Sequence, residues 1–276
     1  MNVLSKFNLS DDIAVITGGA GLLGLQHCEA LLEAGATVII LDVDEKALSK
    51  SKNIFSNKYG ERFYSLHADI TKEDQIISAK EKIYKEFNAY PSILINNAAI
   101  DAKYETDSKI NKTRLEDFDL NQWNIEISVG LSGAFLCSKH FGVEMSKNNK
   151  GVILNISSDL GLIAPSQFLY QDKDLPKEKQ SVKPVTYSVI KHGLIGLTRY
   201  ISTYWAKEGV RCNALAPGGA YNDHDKSFEN KLSELVPMGR MAKTDEYKAT
   251  VLFMCSDASS YMNGAVVSVD GGRTAW

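Results

Sequence analysis

Ile13-Ala14-Val15-Ile16-Thr17-Gly18-Gly19-Ala20-Gly21-Leu22-Leu23-Gly24 is the stretch that decides the fold of this 276-residue chain. A short apolar, β-branched run ends in a glycine-rich turn, after which Leu25, Cys28, Leu31 and Leu32 recur at helical spacing. Strand, glycine turn and helix in that order form the setting in which a backbone approaches a pyrophosphate at a helix N-terminus. Gly35 stops the helix, and Thr37 to Leu41 reads as a second buried strand ending at Asp42. Asp42 lies eighteen residues beyond Gly24, where the ribose of an adenosine would lie. A carboxylate there accepts hydrogen bonds from the ribose hydroxyls and repels a 2′-phosphate. Val43 and Asp44 follow instead of Lys or Arg, so the pattern predicts NAD over NADP. The competing role for Asp42 or Asp44 is a helix cap.

Strand and helix keep alternating along the chain. Glu45 to Lys58 reads as a charged helix, Arg62 to Thr71 as a third strand and Lys72 to Phe87 as an amphipathic helix. Asp69, followed by Ile70, suits both a helix cap and an adenine contact. Pro91 precedes the fourth strand, which closes on Asn96, Asn97, Ala98 and Ala99, small enough at its carboxyl end to let a flat ring approach. Residues 101 to 120 read as polar loop. A long helix over about Gln122 to Lys147 carries Trp123, Ile127, Leu131, Phe135 and Leu136 in register. Gly130 and Gly133 inside it each lower helix propensity by about 1 kcal/mol relative to Ala, which predicts close packing there.

Gly151 to Ser158 is the fifth strand, ending in two hydroxyls, and Val210 to Ala216 the sixth, closed by Pro217-Gly218-Gly219. A helix near Asp245 to Cys255 and a last strand, Ala265 to Val269, lead to the end at Gly271-Gly272-Arg273-Thr274-Ala275-Trp276. Such alternation requires parallel pairing with right-handed crossovers. The expected architecture is α/β, a doubly wound seven-stranded parallel sheet (Rossmann-like) in a single domain spanning 1–276, with its site at the strands' carboxyl ends.

Tyr187 and Lys191 stand four apart in a helical stretch running to Lys207, so both can face one site. A lysine about 4 Å from a phenol, at an effective dielectric near 20, favours the phenolate by about 4 kcal/mol. That brings a tyrosine towards neutral-pH acid/base work. Before this helix lies an insert at about 164–184 with a mixed-charge run. A segment of this length reads either as a solvated surface loop or as a substrate-facing lid. Residues 220–242 form a second substrate loop with a short helical stretch.

Composition narrows the class. A net charge of −3 supports neither nucleic-acid nor anionic-membrane binding. Met1 to Asp12 has no signal-like apolar core and no run reaches membrane-span length, which predicts a cytoplasmic protein. Cys28, Cys137, Cys212 and Cys255 are scattered and read as reduced apolar thiols, with no metal site.

The ordered set Thr17-Gly18 to Gly24, Asn96-Asn97-Ala98, Ser158, Tyr187-x-x-x-Lys191, Pro217-Gly218 and Asp270-Gly271-Gly272 resembles the short-chain dehydrogenase/reductase family from Asp11 to Trp276. The resemblance implies that Ser158 polarises the substrate oxygen, with Ser157 as the alternative. It also implies that Tyr187 transfers the proton, and that Lys191 holds the nicotinamide ribose and lowers the Tyr187 pKa. The cofactor is expected against Gly18, Gly21, Leu22, Leu23, Asp42, Asp69, Ile70, Asn97, Ala98, Ala99, Pro217 and Gly218, together with Tyr187 and Lys191.

Three features depart from the family. Leu22 replaces the middle glycine, as in the longer sugar-nucleotide branch. Gly130 stands where an Asn usually holds a water beside the lysine, so the relay uses water alone or another residue, or the helix kink differs. The insert separates Ser158 from Tyr187 by 29 positions. Beyond these three, Asn222 also stands where a Thr often meets the carboxamide.

The expected activity is NAD-dependent hydride transfer to or from a secondary alcohol or ketone on a polyol or sugar-like small molecule. The alternatives are a sugar-nucleotide epimerase or dehydratase and a catalytically impaired NAD-binding protein. The chain is also similar to members associated with bacterial surface-sugar and flagellin-modification pathways, which would suit a lid carrying Lys173, Lys177, Lys179 and Lys183. A homotetramer, or a homodimer, is expected from the family.

Overall fold

Alternate residues of the apolar strands go to opposite faces of one sheet, as a period of two requires. The computed structural model describes residues 2–100, 113–172 and 174–276. Its strands are β1 (Ile13–Thr17), β2 (Thr37–Asp42), β3 (Phe63–His67), β4 (Ile93–Asn96), β5 (Gly151–Ile156), β6 (Val210–Pro217) and β7 (Val266–Val269). The helices are α1 (Leu22–Glu33), α2 (Glu45–Tyr59), α3 (Glu73–Phe87), α4 (Leu120–Ile127), α5 (Gly133–Lys147), α6 (Val185–Tyr204), α7 (Lys226–Glu234) and α8 (Lys248–Cys255). Ala14, Ile16, Val38, Ile40, Ile93 and Ile95 pack with α1, α2 and α8. Val15, Ile39, Leu41, Leu94, Ile153 and Cys212 pack with α3, α5 and α6.

The sheet is parallel throughout, in the order β3-β2-β1-β4-β5-β6-β7. The doubly wound seven-stranded expectation is therefore met. The chain winds outward from β1 to β3 and then returns to β4 on the other side. That reversal opens a crevice beyond the carboxyl ends of β1 and β4. A buried polar network ties β4 and β5 to α5 and α6 beneath it. Asn96 Nδ2 donates to Asn155 Oδ1 (2.8 Å) and Ser138 Oγ (3.0 Å), and Asn155 Nδ2 donates to Thr198 Oγ1 (2.8 Å).

Several expected boundaries move. The third strand ends at His67, before Asp69. The long helix begins at Leu120 and is interrupted by a π-turn over Ser128–Ser132 before α5 resumes. The expected tight packing at its glycines is present: a Cβ on Gly130 would come 2.7 Å from Ile190 Cγ2, and one on Gly133 2.7 Å from Ile70 Cδ1. The Tyr187 helix ends at Tyr204, short of Lys207. Residues 101–112, expected as loop, and Lys173 lie outside the described residues. All four cysteines are buried free thiols. Among the described residues no helix is long and apolar enough to cross a membrane.

Candidate active site

The glycine turn is locked onto the end of β4. Thr17 Oγ1 accepts from the N–H groups of Asn97 and Ala98, each at 3.1 Å. Asn97 Nδ2 donates to the carbonyls of Thr17 (3.1 Å) and Gly18 (2.9 Å). Gly18 has φ 59°, and a Cβ on it would lie 2.7 Å from Ala98 Cα, so only glycine fits this approach. Gly21 is the N-cap of α1 and adds no side-chain cap, leaving the helix N-terminus to face a ligand. Leu22, which takes the place of the family's middle glycine, opens the first helical turn.

Asp42 and Asp44 separate the two roles open to them in the sequence. Asp44 is the helix cap, accepting from the N–H groups of Lys46 and Ala47. Asp42 holds the turn instead: its Oδ2 accepts from Ala20 N (3.1 Å) and its Oδ1 from Val43 N (2.8 Å) and Asp44 N (3.1 Å). Asp69 does not cap α3, whose N-cap is Lys72. Its Oδ1 accepts from Thr71 N (2.9 Å) and Thr71 Oγ1 (2.7 Å), and its N–H donates to Gln75 Oε1 on α3 (2.8 Å).

One cleft runs along these strand ends. Gly18, Gly21, Leu22, Leu23, Asp42, Asp69 and Ile70 line its outer part, and Asn97, Ala98, Ala99, Ser158, Tyr187, Lys191, Pro217 and Gly218 line the rest. The structure thus brings together every residue expected at the site, and Asn222 joins them. An elongated cleft with a glycine turn, an open helix N-terminus and an acid at one end fits a nicotinamide dinucleotide.

Tyr187 lies in the first turn of α6, and its hydroxyl donates to Ser158 Oγ at 3.3 Å. Lys191, one turn on, is buried and donates from Nζ to the Ile156 carbonyl at 2.8 Å, with Nζ 5.7 Å from the Tyr187 ring centroid. The paired serines divide. Ser157 donates its hydroxyl to the Lys191 carbonyl (2.7 Å) and so braces α6. Ser158 faces Tyr187 and donates to Asp159 Oδ1 (2.7 Å). Burial pushes the Asp159 carboxyl above the usual carboxylate range, partly offset by the hydrogen bond from Ser158.

Ile190 fills the space beside Gly130 that a longer side chain there would need. A small cavity remains among Glu126, Gly130, Ile190, Lys191 and Tyr187. Glu126 is buried and accepts from Gln122 Nε2 (2.7 Å) and from the Thr186 hydroxyl. The kink survives as the π-turn, and a carboxylate one helical turn before Gly130 borders the gap. Sequence reasoning missed Glu126; an acid four residues before Gly130 was the available signal.

The insert and the second loop form one cover. A 3-10 turn at Gln167–Tyr170 packs on α7, with Leu169 buried against Leu232, Val236 and Met241. Tyr170 and Phe228 rings lie 5.7 Å apart, and Lys231 Nζ donates to the Gln171 carbonyl at 2.6 Å. Leu169, Tyr170, Phe228, Leu232 and Met241 all line the cleft, so this part of the insert is substrate-facing. The lysine expectation needs correction. Lys177 and Lys179 are exposed on a separate 3-10 turn away from the cleft, because that stretch is too polar to join the apolar cover. Lys183 does line the cleft, with Nζ 3.9 Å from the Tyr187 ring centroid. Arg273 also lines it and was missed, although an arginine just past a strand's carboxyl end was a readable signal.

Comparison with known proteins agrees with this geometry. The short chain dehydrogenase pattern matches residues 12–170, and an enoyl-(acyl carrier protein) reductase pattern matches residues 177–274. The chain is 31% identical over 283 aligned positions to a galactitol 2-dehydrogenase (L-tagatose-forming) of Cereibacter sphaeroides, covering 100% of both chains. A gluconate 5-dehydrogenase of Burkholderia cenocepacia J2315, solved with NADP and tartrate, superposes with a TM-score of 0.84 at 26% identity over 100% of both chains. A short chain dehydrogenase of Leptospira borgpetersenii with bound NAD+ gives 0.80 at 29% identity, covering 99% of this chain and 96% of the other.

Proposed function

The chain belongs to the short-chain dehydrogenase/reductase family, oxidoreductases acting on CH–OH groups, and on that premise we propose that it uses NAD(H) to interconvert a secondary alcohol and a ketone on a polyol or sugar-like substrate. The α1 N-terminus and the Gly18–Gly21 turn would hold the pyrophosphate, Asp42 the adenosine ribose, and Asn97, Ala98, Ala99, Pro217 and Gly218 the nicotinamide end. The nicotinamide supplies the hydride acceptor or donor. Ser158 turns its hydroxyl from Asp159 to the substrate oxygen, and Tyr187 takes or returns the hydroxyl proton. Lys191, fixed by the Ile156 carbonyl, places a positive charge beside that phenol and favours its ionised form.

The observation that carries this reading is the Tyr187 hydroxyl 3.3 Å from Ser158 Oγ inside the cleft. The pairing bridges 29 positions and the whole insert, so it is a product of the fold and not of local sequence. Positioned acid–base help is worth roughly 10²–10⁴-fold, so Tyr187→Phe should lower kcat by about that factor while leaving NADH affinity nearly unchanged. Turnover at the wild-type rate would remove Tyr187 from the mechanism. The preference for NAD rests on Asp42, and relatives have been solved with either cofactor. A cytoplasmic location follows from this reading, since the reaction draws on a shared pool of NAD(H). The narrower likeness to surface-sugar and flagellin-modification members is supported by the insert and the chain end.

A further inference from the structure

Arg273 is 8% exposed, and among the described residues its guanidinium donates no hydrogen bond. Nε is buried without a hydrogen bond, and among the described residues no nitrogen of this side chain donates a hydrogen bond or lies within 4.0 Å of a carboxylate. A charge taken out of water without a counter-charge is costly, so such a group normally marks a place for one. The residue follows the turn at the carboxyl end of β7 and lines the same cleft as Ser158 and Tyr187.

The neighbouring acids are committed elsewhere. Asp270 Oδ1 accepts from Gly272 N (3.0 Å), and its Oδ2 accepts from Thr274 N (2.9 Å) and Thr274 Oγ1 (2.6 Å). Asp159, 7% exposed, feels the charge of Arg273 but accepts from the Ser158 hydroxyl and Leu160 N (2.8 Å) through Oδ1. The planar fork of an arginine matches two oxygens of a carboxylate or a phosphate.

We propose that Arg273 anchors an anionic end group of the substrate, a carboxylate or a phosphate carried on a polyol. The inference rests on the oxidoreductase reading of the cleft and narrows it to acidic polyols. Arg273 holds the anion while Asp159 accepts from a hydroxyl beside it, and another hydroxyl is left for Ser158 and Tyr187. A neutral polyol leaves the buried guanidinium without its counter-charge, so the cleft discriminates against it.

Calorimetric titration of the NADH-loaded protein with D-gluconate, D-glucitol 6-phosphate and D-glucitol tests the anchor. At least one acid should bind about tenfold or more tightly than glucitol, the scale of a charge-assisted pair, and which acid does so identifies carboxylate or phosphate. Arg273→Met should abolish that difference, weakening the acid and tightening glucitol, with NADH binding unaltered. Arg273→Lys, which keeps the charge but not the fork, should retain part of it. Arg273→Gln replaces Arg273→Met if the latter fails to bind NADH. Equal affinity for all three compounds overturns the proposal, as does discrimination that survives loss of the charge. Following NADH formation with the same compounds separates the two claims. Glucitol oxidised as well as the acids sinks the anchor but not the oxidoreductase. Arg273-dependent binding without oxidation of any of them keeps the anchor and counts against the oxidoreductase.

Discussion

Asp42 shows how far one residue can be read. Its distance from the glycine turn was visible in the sequence, but its hold on Ala20 N was not, because that bond crosses from β2 to the turn. The same carboxylate therefore shapes the turn and, in the proposed reading, meets the ribose. A hydrogen bond to a charged group is worth about 1.5–3 kcal/mol, so Asp42→Ala should weaken NAD binding by roughly tenfold to a hundredfold. It should weaken NADP binding far less, since the repulsion goes with the charge. Fluorescence titration with both cofactors checks this, and tighter binding of NADP by the wild type would reverse the assignment. Tyr187 and Lys191 were legible because helical spacing alone pairs them. The preference for Ser158 over Ser157 came from the resemblance and not from spacing, because it depends on which hydroxyl α6 claims, and the Lys191 carbonyl claims that of Ser157. The place of Arg273 past a strand end was readable, but its isolation was not, since that is a property of burial and not of pattern.

At the scale of elements, the strands and the glycine turn were readable because period-2 runs and glycine stops are local signals. The π-turn at Ser128–Ser132 was not, since a helix-period stretch does not disclose one extra residue per turn. The pairing of the insert with α7 was hidden too. It joins segments some sixty positions apart through Leu169, Tyr170, Phe228 and Lys231. This apolar cluster is separate from both main cores, so weakening it should loosen the cover and spare the sheet. Leu169→Ala removes about 2–3 kcal/mol of buried contact. It should raise KM for substrate about tenfold, roughly half of that energy, with NADH affinity unchanged. An unaltered KM would show that the cover does not contribute to substrate binding.

For the molecule as a whole, the strand order followed from alternation and handedness, which leave few arrangements of seven parallel strands. The outer surface was harder to read. Ile125 on α4, Phe135 and Val143 on α5, and Val189, Tyr200 and Tyr204 on α6 are exposed large apolar side chains. They lie on the long helices through which the family's tetramers are expected to pack. Gel filtration should return a mass about four times 30.4 kDa; a monomer would contradict the expectation. The central claim, that this cleft performs net NAD-linked oxidation of a polyol-type alcohol, is tested most directly by absorbance of NADH over a panel of polyols, sugar acids and sugar phosphates. The account predicts that NADH accumulates in step with substrate consumed for at least one of them and that Tyr187→Phe suppresses it. Substrate conversion without accumulating NADH, or accumulation that Tyr187→Phe leaves intact, would contradict it.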